Sequence, residues 1–391
     1  MEYAAIIGGG RTRFGELWDR SLEDLILSAG LKALESAGLE RRDIQAFYVG
    51  VFMQEIAVNQ SLVAAELCQM LGTHANIVRI ESACASSGLA FQQACLAIRS
   101  GKYDIVCVGG VEKMTDSYDA ISDCLATALD PWERFYGFTF AGMYANIMMR
   151  HMYEHGTTRE QIAAVRVKDQ RHAKSNPNAQ FRFEVGIEDV INSRPVADPI
   201  RLLDCSPITD GACAVILCKP ELAKDYTDEP VYVKGMGSAT DTSGWYCRED
   251  LTSMRSIVDA SKEAFAEAGV KPSDIGFVEL HDCFTIEEII TLEDTGLIRR
   301  GSAGKVVEES VESSGKGKQV IYSYSGNEFV TNLRGGLLGD GHPVGATGIT
   351  QVYELCRQLT GCVPTEIESK YGLAHNIGGS GGSCSVTILG V

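Results

Sequence analysis

The sequence predicts an α/β fold made of two similar halves related by an approximate two-fold axis, with a long insertion in the first half. Three observations carry this expectation. Ala33-Leu34-Glu35-Ser36-Ala37-Gly38 with Asp43-Ile44 recurs as Ala264-Phe265-Ala266-Glu267-Ala268-Gly269 with Asp274-Ile275, at an offset of 231 residues in both parts. Strand-like apolar runs alternate with helix-like ones, which points to α/β layers with largely parallel sheets. Between roughly residues 115 and 200 the alternation breaks, and the second half has no counterpart of that stretch.

Each copy of the repeat reads as an amphipathic helix ending in Ala-Gly, because glycine reaches the left-handed conformation that closes a helix. A short strand follows, Phe47–Gly50 in the first half and Phe277–Leu280 in the second. Next come a loop and a helix, Ser86 to Ser100 and Gly348 to Thr360. Each leads into a strand ending in a glycine pair, Val106 to Gly110 and Ala374 to Gly379. The inserted stretch holds Trp132, Phe135, Tyr136, Phe138 and Phe140, then a helix with Thr158 as N-cap running to about His172, then the turn Asn176-Pro177-Asn178. The expected organisation is residues 1–114 as the first part of an N-terminal half, 115–200 as an inserted loop domain, 201–230 as completion of that half, and 231–391 as the C-terminal half. Ligand clefts in such sheets form beyond the carboxyl ends of strands, so the loops there are expected to converge.

Composition narrows the class. Lys+Arg 35 against Asp+Glu 52 gives a net charge of −17, which disfavours non-specific binding to nucleic acid or to an anionic membrane. Hydrophobic residues at 45% and charged residues at 22% are globular values and exclude a disordered chain. No apolar run reaches the ~18 residues of a membrane span. Neither end reads as a targeting segment, and the final Ile388-Leu389-Gly390-Val391 is not a peroxisomal address, so a cytoplasmic location is expected. The 13 cysteines are odd in number and include no CxxC pair, which argues against a disulfide framework, a zinc ribbon or a thioredoxin-type site. Most should be small buried hydrophobes.

Four loops hold residues that suit chemistry. Cys84, in Glu81-Ser82-Ala83-Cys84-Ala85-Ser86-Ser87-Gly88, sits between a strand and a helix of small residues, where a helix N-terminus is expected to lower a thiol pKa. It is either a nucleophile or a packed thiol. His342, in Gly339-Asp340-Gly341-His342-Pro343-Val344-Gly345, is surrounded by glycines and followed by proline. It can accept a thiol proton, or simply bond to the backbone of its turn. His281-Asp282-Cys283-Phe284 ends a strand; His281 and Cys283, two apart, share a face, so one can donate to an oxyanion while the other shuttles a proton. A metal pair competes with that reading but lacks further ligands at useful spacing. Gly378-Gly379-Ser380-Gly381-Gly382 lacks the Lys-Ser/Thr of a phosphate loop and suits backbone oxyanion donors better, while Gly8-Gly9-Gly10 is not a dinucleotide fingerprint. Arg171, Lys174, Arg182, Arg194 and Arg201 form a basic cluster, read as a solvated face or as contacts to ligand phosphates.

Taken in order, these motifs resemble the thiolase superfamily over essentially the whole chain. Arg11-Thr12-Arg13-Phe14-Gly15, Cys84-Ala85-Ser86, Gly109-Gly110-Val111-Glu112-Lys113-Met114, Asp210-Gly211-Ala212 and Gly341-His342-Pro343 are each similar to a family motif. Two departures narrow the subgroup: His281-Asp282-Cys283-Phe284 stands where many thiolases have Asn-Glu-Ala-Phe, and Asn376-Ile377-Gly378 stands where they have Cys-x-Gly. The second cysteine has moved between loops, as in sterol-carrier-protein-type thiolases and archaeal acetoacetyl-CoA thiolases; Cys384 is expected in the core.

The resemblance implies a thiolase-like layered fold and an acetyl-CoA C-acetyltransferase. Cys84 would be acylated with His342 as base, Cys283 would deprotonate the second acetyl-CoA, and His281 and His342 would stabilise its enolate. The backbone N–H groups of Cys84 and Gly378 would hold the tetrahedral oxyanion. No cofactor or metal is implied, coenzyme A being substrate and product, with acetyl-CoA and acetoacetyl-CoA as ligands. The resemblance further implies a homodimer or homotetramer and a complex with hydroxymethylglutaryl-CoA synthase through a small OB-fold protein; the lack of a sterol-carrier domain after Val391 points to a stand-alone subunit. Competing readings are degradative 3-oxoacyl-CoA thiolysis, C-acylation of another acceptor, a non-catalytic scaffold subunit, and a metal- or redox-sensing thiol protein.

Overall fold

The computed structural model describes residues 2–57, 59–315 and 317–391. The strands are β1 (Ala5–Arg11), β2 (Ala46–Gly50), β3 (Asn76–Ile80), β4 (Ile105–Glu112), β5 (Pro195–Ala197), β6 (Ile200–Arg201), β7 (Gly211–Cys218), β8 (Val231–Thr240), β9 (Phe277–Glu279), β10 (Tyr322–Tyr324), β11 (Asn327–Thr331), β12 (Tyr371–Gly378) and β13 (Ser383–Gly390). Eleven of them form one sheet in the order β10-β11-β9-β12-β13-β8-β1-β7-β4-β2-β3.

The centre of that sheet is an antiparallel seam between β1 and β8, with Ala5 opposite Tyr232 and Ile6 opposite Val231. Outward from it run β1, β7, β4, β2, β3 on one side and β8, β13, β12, β9, β11 on the other. These are matching elements in matching order, and equivalent strands paired antiparallel define a local two-fold. The expected largely parallel sheets are corrected to a mixed one. Parallel pairing is confined to β3–β2–β4 and β11–β9–β12, whereas β7 and β13 run antiparallel to both neighbours. For β13 the cause is the connection: residues 379–382 are too few for the crossover that parallel strands require.

The repeated helices, Leu22–Ala37 and Arg255–Ala268, end at left-handed Gly38 and Gly269 (φ 64° and 66°), as their shared Ala-Gly predicts. The helices Ser86–Arg99 and Thr347–Leu359 meet at the middle of the molecule. A Cβ on Gly348 would lie 2.5 Å from the backbone nitrogen of Gly88, so a glycine at 348 is what lets these helix starts touch backbone to backbone. That contact brings together the loops that precede the helices.

The chain between β4 and β7 contributes the helices Ile121–Ala126, Pro131–Phe135, Phe140–His155 and Arg159–Ser175, and the β5–β6 ribbon. Thr158 caps Arg159–Ser175 in a capping box with Gln161. This stretch is ordered by packing onto the second half: Tyr144, Ile147, Ile162 and Val165 share one apolar core with Leu280, Phe284, Ile289 and Val307. No helix of the described residues is long and apolar enough to cross a membrane. All 13 cysteines are unpaired, and Cys384 is fully buried.

Candidate active site

Cys84 is presented by a tight turn between β3 and the helix Ser86–Arg99. Ala83 takes a left-handed conformation (φ 49°), a strain of order 1–3 kcal/mol that neighbours must hold. They do so with short-range bonds: Ala83 N–H donates to Glu81 Oε1 (2.7 Å), Ser82 N–H to Ser86 Oγ (2.9 Å), and Ser86 Oγ to the Ala83 carbonyl (2.5 Å). Small residues crowd the same turn from the facing strand; a Cβ on Gly378 would stand 2.1 Å from the Ser82 carbonyl oxygen. The Gly379 N–H reaches the Cys84 sulfur.

The sulfur of Cys84 and one ring nitrogen each of His281 and His342 lie within 4.8 Å of one another. The two imidazoles meet edge to face, centroids 4.9 Å apart at 89°. Their neighbours give them opposite tautomers. Thr347 Oγ1 donates to the Pro343 carbonyl (3.2 Å) and lies 2.7 Å from His342 Nδ1, so it accepts from Nδ1–H and leaves Nε2 as a bare acceptor. Asn376 Nδ2 donates to His281 Nδ1 (3.0 Å), so His281 carries its proton on Nε2 and presents a donor. Burial, and then Arg334, push His342 down to about 3; burial, His342 and His375 hold His281 well below its ordinary value. Both rings are neutral across the physiological range. One is a base and the other a hydrogen-bond donor.

Cys283 is buried beside this cluster. Burial, Glu287 and the charge of Cys84 all raise its thiol, while a hydrogen bond from Tyr144 lowers it. The Cys84 contribution puts the second thiol in the field of the first. Tyr144 stacks on Phe284 at 4.5 Å, and burial pushes Glu287 up to about 8. Met53, Met114, Ile121 and Val344 line the other side of Cys84 with apolar surface.

One expectation is reversed. Burial, and then Glu112, push the Cys84 thiol up to about 12, against the opposing N–H groups of Gly379 and of Cys84 itself. The helix N-terminus does not outweigh desolvation here. Cys84 therefore rests as a thiol, and His342 Nε2 is the base placed to remove its proton.

The loops are held by buried charge, much of it inside the motifs named above, whose structural role the sequence alone did not give. Arg11 bonds Asp340 and Glu354 (2.9 Å each) and lies 4.0 Å over Phe14; Arg334 bonds Glu279 (3.0 Å) and Asp340. Asp340, two residues before His342, is thereby fixed. Glu112 accepts from Phe52, Met53 and Gly345 N–H groups and from Gln54 (3.0–3.1 Å), tying the His342 loop to β4. Asp210 accepts from the Met114 and Thr115 N–H groups and from Lys113 (2.7–2.9 Å).

The basic cluster is dispersed into local contacts. Arg171 donates to Val311 and Ser314 carbonyls (2.9 and 3.4 Å) at the end of the helix Ala303–Ser313. Lys174 pairs with Glu184, Arg182 donates to the Lys174 carbonyl (3.3 Å), Arg201 reaches Asp198 (3.4 Å), and Arg194 is exposed. As for a metal, His281 has Cys84 and His342 rather than Cys283 as its nearest soft donors. The Asn376 bond turns a proton rather than a lone pair of His281 toward them, which suits an oxyanion better than an ion.

Comparison with known proteins follows the same lines. Residues 4–221 match the family model described as "Thiolase, N-terminal domain", and residues 237–391 that described as "Thiolase C-terminal domain-like". The chain is 44% identical to an acetyl-CoA acetyltransferase of Methanothermobacter thermautotrophicus over 100% of both chains. It is 31% identical to sterol carrier protein 2 of Bos taurus, covering 98% of this chain and 71% of that one. Among solved structures, the Ltp2-ChsH2(DUF35) aldolase superposes with a TM-score of 0.83 at 27% identity, over 99% of this chain and 97% of that one.

Proposed function

Because the chain belongs to the thiolase family and is an acyltransferase of it, we propose that it is an acetyl-CoA C-acetyltransferase, joining two acetyl-CoA into acetoacetyl-CoA and CoA. The observation that carries this reading is the convergence of Cys84, His281 and His342 within 4.8 Å, with the thiol of Cys283 in the same field. Because Cys84 rests protonated, attack on the acetyl carbonyl coincides with proton transfer to His342 Nε2. The backbone N–H groups of Cys84 and Gly378 hold the tetrahedral oxyanion. Its collapse breaks the C–S bond to CoA, which leaves with the proton from His342, and acetyl-Cys84 remains.

In the second half-reaction the Cys283 thiolate takes the α-proton of a second acetyl-CoA. Burial makes that thiolate scarce but strongly basic, which a carbon acid demands. His281 Nε2–H stabilises the enolate oxygen directly, and His342 does so through a water that donates one proton to its Nε2 and the other to that oxygen. The carbanion attacks acetyl-Cys84; as the C–S bond breaks, the proton held by Cys283 returns to the Cys84 sulfur.

The coenzyme would lie against the inserted helices, with Arg171, Lys174, Arg182, Arg194 and Arg201 as candidates for its phosphates. Thirteen unpaired cysteines support a reducing, cytoplasmic setting. Acetoacetyl-CoA made there would feed mevalonate and isoprenoid synthesis. β3 ends the sheet with one edge unpaired among the described residues, which supports assembly into a homodimer or homotetramer. The structural neighbour named with a DUF35 component supports a complex with a second protein, which for this chain would be a small OB-fold partner linking hydroxymethylglutaryl-CoA synthase.

Purified protein given acetyl-CoA should release CoA and form acetoacetyl-CoA, and Cys84→Ala should do neither while assembling normally. Failure to form acetoacetyl-CoA, with thiolysis of longer 3-oxoacyl-CoA intact, would overturn the proposal.

A further inference from the structure

Asp282 lies between His281 and Cys283, and the alternation of an extended chain turns its side chain to the opposite face. There it meets the helix Arg159–Ser175 and the loop that leads to His342. Asp282 Oδ1 accepts the Leu337 N–H at 2.8 Å, while Oδ2 has no donor among the described residues. Carboxylate oxygens of Asp169, Asp282 and Glu288 lie within 4.8 Å of one another, all three side chains are fully buried, and the Asp169 and Asp282 carboxyls are within hydrogen-bonding reach.

The surrounding charges do not balance. Lys168 Nζ sits 2.8 Å from Asp169 and 2.6 Å from Glu288; Glu288 is further satisfied by Tyr322 Oη (2.7 Å) and Thr331 Oγ1 (3.2 Å). Arg166, on the same helix, feels Asp169 and Asp282 most strongly and also Asp204 and Cys205, while donating to the Leu338 carbonyl (2.6 Å). Two further titratable groups face Lys168 and are held neutral: His172, pushed down to about 3 by burial and then Lys168, and Tyr322, held well above its ordinary value by burial and then Glu288. Three carboxylates against Lys168 and Arg166 leave one uncompensated negative charge in a fully buried site, and Asp282 Oδ2 without a donor. A single proton supplies both what the charge and what the geometry lack. The loop is laid directly on this pair: a Cβ on Gly336 would stand 2.2 Å from Asp282 Oδ2 and 2.8 Å from Asp169 Oδ1.

We propose that Asp169 is the protonated acid and donates a hydrogen bond to the Asp282 carboxylate, and that this acid–carboxylate pair is the clamp that positions the His281–Cys283 strand end against the loop carrying His342. The proposal rests on those residues being the reacting groups, and both aspartates are positioning residues. Loss of the Asp169 proton sets two carboxylates against each other and loosens the loop. Asparagine at 282 can still accept from Leu337 and donates to Asp169 without any titrating proton.

The test is the pH profile of kcat and KM for the wild type, Asp282→Asn and Asp282→Ala. Wild-type kcat should fall on the alkaline side with KM little changed. Asp282→Ala should lose roughly tenfold to a hundredfold in kcat, the scale of a small misplacement of reacting groups. Asp282→Asn should recover most of that loss and abolish the alkaline fall; an alkaline fall identical to wild type would overturn the clamp. The infrared difference spectrum of wild type minus Asp169→Asn at neutral pH reads the proton without activity, because other protonated carboxyls cancel. A protonated-carboxyl band in an enzyme that makes no acetoacetyl-CoA would spare the pair and defeat the proposed function; no band would defeat the pair.

Discussion

Asn376 Nδ2 at 3.0 Å from His281 Nδ1, and Thr347 Oγ1 at 2.7 Å from His342 Nδ1, assign opposite work to two like side chains. His281→Ala removes an oxyanion donor outright and should lower kcat about 10²–10³-fold. Asn376→Leu leaves the imidazole but frees its tautomer, and should reproduce part of that loss; wild-type kcat in this variant would contradict the assignment. The raised Cys84 thiol gives a second expectation. Its alkylation by iodoacetamide in the free enzyme should climb about tenfold per pH unit from neutrality upward, with no plateau near the ordinary ~8.5. A plateau there would mean that the helix N-terminus wins after all. Cys84, His342, His281 and Cys283 were visible in the sequence because glycines, proline and polar strand ends are costly unless used. The roles of Thr347 and Asn376 were not, since a tautomer depends on partners that only folding brings near. Nor was the direction of the Cys84 shift, because motif context carries the helix but not the depth of burial.

At the scale of elements, the Gly88–Gly348 contact decides whether the Cys84 and His342 loops can meet. Gly348→Ala sets a methyl 2.5 Å from backbone and should cost about 1–3 kcal/mol in denaturant unfolding, with kcat falling as well. Gly30→Ala is the control: it lies inside the helix Leu22–Ala37 with nothing within 4 Å of its added Cβ, and should stabilise by about 0.5–1 kcal/mol. Equal effects of the two substitutions would remove the seam from the argument. The repeat made the paired halves, their helix caps and the inserted helix at Thr158 legible, since each is written in local composition. Strand direction was not, because pairing depends on where a returning strand docks. The four residues between β12 and β13 are a hint of antiparallel pairing that alternation alone conceals.

For the whole molecule, buried titrating groups set the pH at which the fold is most stable. Burial raises Glu279 and Asp294 to about 7 and Glu287 to about 8, so between the ordinary carboxylate range and pH 8 the folded state binds more protons than the unfolded one. Stability must fall as pH rises through that window, by up to about 1.4 kcal/mol per pH unit and group. His172, His342 and His375, each pushed down to about 3, act in the opposite sense: below pH ~6.5 the unfolded state binds the extra protons, and stability falls as pH falls. Tm should therefore be higher near pH 6 than near pH 8.5, and a rise across that interval would refute the assignment of buried acids.

The central claim is that Cys84, His342 and Cys283, remote along the chain, act on one thioester carbon. Mass mapping of the Cys283→Ala enzyme after exposure to acetyl-CoA tests it most directly. The account predicts one acetyl group on Cys84, one equivalent of CoA released and no acetoacetyl-CoA; an unmodified Cys84, or an acetyl group on another of the 13 cysteines, would contradict it.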